Sequence, residues 1–259
     1  MLAELLLQRA MTVALIATRL AGFVIVSPFP GESTPRQVRV GFVLLLTWFI
    51  ASTDEPVAPA SSPELGYEAL FGVTSELAIG VLVGLAFRTV IGAAEIGGEL
   101  CSQATGLGSA SLFNPTTRAQ ETPISRLFWL AGAALILTTG THRVVLGYLI
   151  ETFGAIPLGT GIAPGGAAPA LLDLVAGSMV AGLRLAFPVI AVGLVAQVGL
   201  ALVARIAPAL GVFQIGLPVL VAAGLIVLGL SFPSVVSLLT TILAGTPAAV
   251  EQLLRDASG

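Results

Sequence analysis

The chain has 259 residues, 56% of them hydrophobic and only 10% charged, with a mean hydropathy of +1.02; this composition excludes an ordinary soluble domain and implies a multi-pass membrane protein. The net charge is -3 and all eleven basic residues are arginine, so no basic surface on the scale needed for nucleic acid exists and nucleic acid is excluded as a partner. A single cysteine, Cys101, and a single histidine exclude an internal disulfide and a Cys/His zinc site, and nothing in the sequence calls for a cofactor.

In chain order, the first apolar run spans roughly Met11 to Phe29. Arg19 lies inside it and Ser27-Pro28-Phe29-Pro30 follows where a small-residue cleavage site would stand, so it reads as a retained span and not as a signal peptide. The second run, Val38 to Ala51, is short against the roughly 20 residues that a bilayer-crossing helix needs. A third covers about Ala69 to Ile91, with Glu76 inside it and Gly80-x-x-x-Gly84 on one face, a spacing that admits another helix at close range.

The segment from Glu99 to Arg126 breaks this pattern. It is polar and rich in Gly, Ser and Thr, yet Leu107, Ala110, Leu112 and Phe113 make it too apolar for a solvated linker. Non-helical backbone is tolerated at membrane depth only where protein buries it or where it lines a water-filled cavity. The segment is therefore predicted to fold inward, as a constriction or plug. Glu95, Glu99 and Gln103 recur at four-residue spacing, and on a continuous helix they form one polar stripe leading into it.

Beyond it come the runs Leu127 to Thr139 and Thr141 to Gly159, then a turn-rich tract to Pro169 that marks the best internal boundary. Two long runs, Leu174 to Val203 and Leu210 to Phe232, flank Arg205 and Pro208 and read as a helical hairpin; an amphipathic piece from Val235 to Leu254 follows Pro233. Pro188, Pro218 and Pro233 are expected to interrupt or bend these helices. Arginine placement favours an outside N-terminus and C-terminus, because the alternating spans then put Arg36, Arg39, Arg88, Arg118, Arg126 and Arg205 on the cytoplasmic side.

Charges inside apolar runs need partners. A central arginine such as Arg184 costs roughly 2.5–3.5 kcal/mol on insertion scales, so it is expected to face protein or water. Arg19 and Glu76 pose the same problem, and an interhelical carboxylate–guanidinium contact would resolve it. An enzyme reading has little support: Gly106-Leu107-Gly108-Ser109 only faintly matches the surroundings of an intramembrane serine protease nucleophile, with His142 as the available base, and no metal-hydrolase or nucleotide-binding motif is present. A secondary transporter using Arg184 and Glu76 near the midplane is a further alternative.

Three segments together carry a resemblance. Thr34-Pro35-Arg36-Gln37-Val38-Arg39-Val40-Gly41 is similar to a short basic turn before a second helix, His142 to Gly159 to a segment after a central insert, and Arg205-Ile206-Ala207-Pro208 with Phe213-Gln214-Ile215-Gly216-Leu217-Pro218 to a late hairpin turn. In this order and spacing they resemble the FliR/SctT export-gate family of type III secretion, whose flagellar members are the FliR proteins. Leu217 stands where the family motif usually has Phe.

The resemblance implies an all-α membrane protein of about six apolar helices with a central re-entrant, plug-like loop. Residues 1–165 are a FliP-like part containing the loop at 99–126, and residues 166–259 a FliQ-like helical hairpin with an amphipathic tail. It implies a conduit and not an enzyme, in the bacterial inner membrane at the flagellar basal body, assembled with FliP and FliQ, contacted by FlhB and FlhA, and touching membrane lipid and exported protein substrates in transit. On this reading Gly106, Leu107, Gly108, Leu112, Phe113, Asn114 and Pro115 form the pore plug, which is apolar through Leu112 and Phe113 where relatives often carry more than one Phe. Glu76, Arg88, Glu95, Glu99 and Arg184 face partner subunits or the lumen, and Arg205, Pro208, Gly216 and Pro218 shape the hairpin turn.

Overall fold

In an apolar medium every backbone N–H and C=O must be satisfied within its own segment or by a neighbour, and this chain answers with helices. The computed structural model describes residues 2–28, 34–52, 67–109, 122–160, 164–206 and 212–258. Among these lie seven α-helices: α1 Leu2–Val26, α2 Arg36–Ser52, α3 Tyr67–Ala104, α4 Pro123–Thr138, α5 Thr141–Ala155, α6 Pro164–Ile206 and α7 Val212–Ser258. Four are long and apolar enough to cross a membrane, or five when α4 and α5, broken at Thr139–Gly140, count as one span.

Several boundaries differ from those expected. The central polar segment is shorter than its composition suggested, because α3 continues through Glu99 to Ala104 and α4 begins at Pro123. Thr122 explains the early start of α4: its hydroxyl accepts from the Ser125 N–H at 3.3 Å, and Pro123 at the first helical position has no N–H to leave unsatisfied. Pro188, Pro218 and Pro233 all sit inside continuous helices, so the separate amphipathic tail after Pro233 is instead the last part of α7. Each proline removes a single donor, which a helix of 43 or 47 residues tolerates far better than a short one.

The chain divides into two compact units. The first comprises Met1–Thr89, Gly140–Val175 and Gly245–Gly259. In it α1 and α3 run parallel at backbone contact. A Cβ on Gly80 would collide with the Arg19 carbonyl oxygen and stand 2.8 Å from the Phe23 nitrogen, one on Gly84 would stand 2.9 Å from the Phe23 oxygen, and one on Gly22 would run into the Leu77 carbonyl. The Gly80-x-x-x-Gly84 spacing is thus the actual crossing point, where small residues let the helices approach closely. Ile16, Leu20, Phe23, Ile79, Val83 and Phe87 are all buried around it.

The second unit comprises Val90–Thr139 and Ala176–Ala244. Here the end of α3 and α4 form an antiparallel hairpin: Gly98 lies against Ser125 and Phe128, and Gly132 against Ala94. The same part of α3 runs parallel to α6, with Gly182 against Ala93 and Ile96, Gly97 against Leu185, and Gly193 against Ala104. Cys101, Phe128, Leu185, Val189, Leu228 and Leu239 are part of the shared apolar core.

Replacing Gly80 by Leu should destabilise the first unit by about 1–3 kcal/mol or more, because the obstructing atoms are main chain and cannot swing aside. Gly92→Ala, where nothing lies within 4 Å, should be neutral or stabilise by up to about 1 kcal/mol. Unfolding of the purified variants in mixed micelles reads both.

Candidate functional site

The first unit encloses one fully ligated charge pair. Arg19 of α1 and Glu76 of α3 are both completely shielded from solvent. The Arg19 Nε donates to Glu76 Oε2 at 2.5 Å and Nη2 to Glu76 Oε1 at 3.1 Å, a two-pronged contact. The remaining guanidinium donors go to α5 and its end: Nη1 to the Thr152 carbonyl at 2.8 Å and to the Thr152 hydroxyl at 3.1 Å, and Nη2 to the Ile156 carbonyl at 3.1 Å. All five N–H groups of the guanidinium therefore have an acceptor. The Phe153 ring lies 4.5 Å from the guanidinium carbon, adding a cation–π contact.

The acceptors are themselves held. The Thr152 hydroxyl donates to the Leu149 carbonyl at 2.6 Å, which leaves its lone pairs for Arg19. Glu76 Oε1 also accepts from the Gly159 N–H at 2.9 Å. Gly159 adopts φ +79, a left-handed conformation that a residue with a Cβ takes only under strain, and this turns the main chain so that its N–H reaches the carboxylate. The knot thus fastens α1, α3, α5 and the turn after α5.

The expected contact between Arg19 and Glu76 is present. It also corrects the placement of Glu76 toward a partner or the lumen, since its own chain encloses it. Sequence reasoning missed Thr152, Phe153, Ile156 and Gly159. A usable signal existed: Thr152 and Ile156 lie four residues apart on one helical face, and a polar side chain in an apolar run asks for a partner.

In the second unit the polar stripe on α3 leads to the base of the central loop. Gln103 Nε2 donates to Glu99 Oε1 at 3.3 Å, and the Thr122 hydroxyl donates to Glu99 Oε2 at 3.3 Å. The Ser125 hydroxyl donates to the Glu95 carbonyl at 3.4 Å. Glu99 thereby ties the outgoing stem of the loop to the returning one. At the outgoing end Gly106, at φ +77, turns the chain beneath Leu217 and Leu220 of α7, and Leu107 packs against the apolar core. Gly108 lies over Gln103. Leu112, Phe113, Asn114 and Pro115 lie outside the described residues.

The other expected residues are scattered. Arg88 and Glu95 are half-buried on α3, and Arg184 is exposed on α6. Arg205 is exposed in the last turn of α6, where a cation complements the helix dipole. Gly216 is buried against Leu200 and Pro218 is exposed, while Pro208 lies outside the described residues. His142 is half-buried at the start of α5 and Ser109 closes a short 3-10 turn, Leu107–Ser109.

Breaking the pair leaves a buried charge uncompensated, so Glu76→Gln or Arg19→Gln should cost about 3–5 kcal/mol. Thr152→Val removes one acceptor while the Thr152 carbonyl stays in place, and should cost about 1 kcal/mol. Loss of near-ultraviolet ellipticity on titration with a denaturing detergent reports all three.

The comparisons with known proteins agree along nearly the whole chain. The model of the bacterial export proteins, family 1, matches residues 10–246. The flagellar biosynthetic protein FliR of Aquifex aeolicus (strain VF5) is 31% identical over 225 residues, covering 86% of this chain and 85% of that protein. FliR of Caulobacter vibrioides is 28% identical over 224 residues, with 86% and 88% covered, and FliR of Escherichia coli (strain K12) 28% over 219 residues, with 83% and 82% covered. With its apolar helices and a match over residues 10–246, the chain belongs to the bacterial export proteins of family 1, and among them to the FliR family.

Proposed function

We propose that this multi-pass membrane protein serves the flagellar type III export apparatus as a structural and gating subunit, helping to form the channel for unfolded flagellar subunits and closing it with residues 106–115. The family match over residues 10–246 is the observation that carries the reading. The geometry at the loop base supports it. A plug must keep its two ends in place while its tip moves, and the Glu99–Thr122 bond together with the Gly98–Ser125 contact gives a rigid pair of stems.

FliP, FliQ, FlhB and FlhA are the proposed partners, with residues 1–165 as the FliP-like part and 166–259 as the FliQ-like hairpin. The packing of the candidate spans supports an interactive role for that hairpin. Only 17% of the span in α6 and 22% of that in α7 is buried within the chain, against 56% of the span in α3. Leu183, Phe187, Val195, Leu202 and Ile206 stand on the exposed surface of α6. Such contiguous apolar surface calls for lipid or for other subunits, and Arg184 beside it favours a partner that supplies an acceptor. The protein acts as a conduit and not as an enzyme; Ser109→Ala and His142→Ala should leave export unchanged.

A closed pore wide enough for an unfolded chain leaks ions unless something apolar fills it, and apolar constrictions block conduction by dewetting. Deleting residues 106–115, or replacing Leu112 and Phe113 by Ser, should raise membrane conductance to small ions while the tagged protein still brings down FliP-like and FliQ-like partners. Unchanged conductance in complexes shown to be intact would move the seal to another subunit. Failure to recover any such partner, together with solute transport by the chain alone in liposomes, would replace the gate reading by a transporter.

A further inference from the structure

Within the second unit, α7 grips the end of α3 at the root of the central loop through two fittings. Thr105, fully shielded from solvent, fills the notch left by Gly224, where a Cβ would run into the Thr105 side chain. Nearer the start of α7, Leu217 and Leu220 close over Gly106, with methyl carbons 3.0 and 3.3 Å from the place a Cβ would take. Thr105 cannot swing aside: it is stiff about its branched Cβ, and its hydroxyl donates to the Ser102 carbonyl at 3.0 Å. The same grip leaves one group unmatched. Ser102 stands three residues before Thr105, on the same face of α3; it is fully buried, and among the described residues its hydroxyl has no hydrogen-bond partner. A buried hydroxyl without a partner carries its whole desolvation cost, which is recovered as soon as water reaches it.

We propose that residues 217–224 of α7 form a releasable clasp on the root of the loop. Seated, they hold Thr105 and Gly106 and keep Ser102 dry; lifted, they let water reach Ser102 and free the outgoing stem. Apolar contact holds the clasp closed and the orphaned hydroxyl opposes it, so the segment opens at a lower cost than the unit as a whole. Pro218 lies between the two leucines and has no N–H to give to the turn before it, which makes this part of α7 the easier part to bend. As a control on the loop, the clasp rests on the gating reading; as a local separation of α7 from α3, it is measured without it.

Cys101, the single cysteine of the chain, is fully buried one turn before Thr105 and shares the apolar core with Leu228 of α7. Its rate of alkylation by N-ethylmaleimide therefore reports opening. The full chain is reconstituted in phosphatidylcholine nanodiscs, and the rate is followed with and without sub-denaturing amounts of a denaturing detergent. The native protein should react slowly, at a rate that the detergent leaves unchanged, because lifting one segment exposes little surface. Ser102→Ala removes the opposing hydroxyl and should slow the reaction about tenfold. Gly224→Ala unseats Thr105 and should speed it about tenfold or more; adding Thr105→Ser, which deletes the obstructing methyl and keeps the hydroxyl, should return much of the protection. A native rate that rises with detergent in parallel with global unfolding would overturn the proposal. So would a Ser102→Ala protein that reacts as fast as the native one, or a Gly224→Ala protein that reacts no faster. Channel conductance enters none of these readouts, so a leaking or a sealed pore bears on the gating reading alone.

Discussion

A charge enclosed by apolar helices persists only if every one of its hydrogen-bonding groups is matched, and the Arg19–Glu76 pair is where this chain meets that demand. Desolvating two ions costs several kcal/mol each, so the pair by itself is no source of stability. What makes it tolerable is the full set of partners: two carboxylate oxygens, the Thr152 and Ile156 carbonyls and the Thr152 hydroxyl for Arg19, and the Gly159 N–H for Glu76. These partners come from α1, α3, α5 and the turn beyond α5, so the same requirement that protects the charges fixes the mutual register of those elements. Gly22, Gly80 and Gly84 allow the main chains of α1 and α3 to come close enough for the side chains to meet.

The second unit is organised differently, by small residues and caps in place of buried charge. Gly97, Gly98, Gly182 and Gly193 bring α3, α4 and α6 into near-backbone contact, and the polar groups Glu99, Gln103, Thr122 and Ser125 gather at the stems of the central loop. Stems tied together at the base of a loop of unusual composition are what the proposed gating role asks for, since a gate must hold its frame while one element changes state. The largely unburied α6 and α7 leave an apolar surface for lipid or, on the proposed function, for neighbouring subunits.

Much of this was legible in the residues. Composition gave the membrane class, the Gly80-x-x-x-Gly84 spacing marked a close helix crossing without naming its partner, and the opposite charges of Arg19 and Glu76 in apolar runs pointed to each other. The elements that escaped have physical reasons. Glu99 and Gln103 read both as the start of the loop, because polar residues signal solvent, and as a helical stripe through their four-residue spacing; the stripe is what forms, with Gln103 bonded to Glu99. Pro218 and Pro233 looked like breaks because proline weakens isolated helices, but a helix of 47 residues absorbs a missing donor. The roles of Ile156 and Gly159 were hidden because one acts through its main-chain carbonyl and the other through its N–H, groups that every non-proline residue possesses, while Thr152 alone offered a side-chain signal. Their selection depends on geometry that sequence spacing does not record.

The central claim is that the knot has a fixed polarity: carbonyls surround position 19 and an N–H faces position 76, so a cation belongs at the first and an anion at the second. Exchanging the charges, Arg19→Glu with Glu76→Arg, keeps the pair but turns a carboxylate toward the Thr152 and Ile156 carbonyls and a guanidinium toward the Gly159 N–H. The free energy of unfolding in mixed micelles, compared among the native protein, the exchanged variant and the apolar pair Arg19→Met with Glu76→Met, is the most direct measurement. The account predicts that the exchanged variant is the least stable of the three, with the apolar pair well above it. An exchanged variant as stable as the native protein would contradict the account, by showing that opposite charge alone, without its surrounding carbonyls and N–H, holds these helices in place.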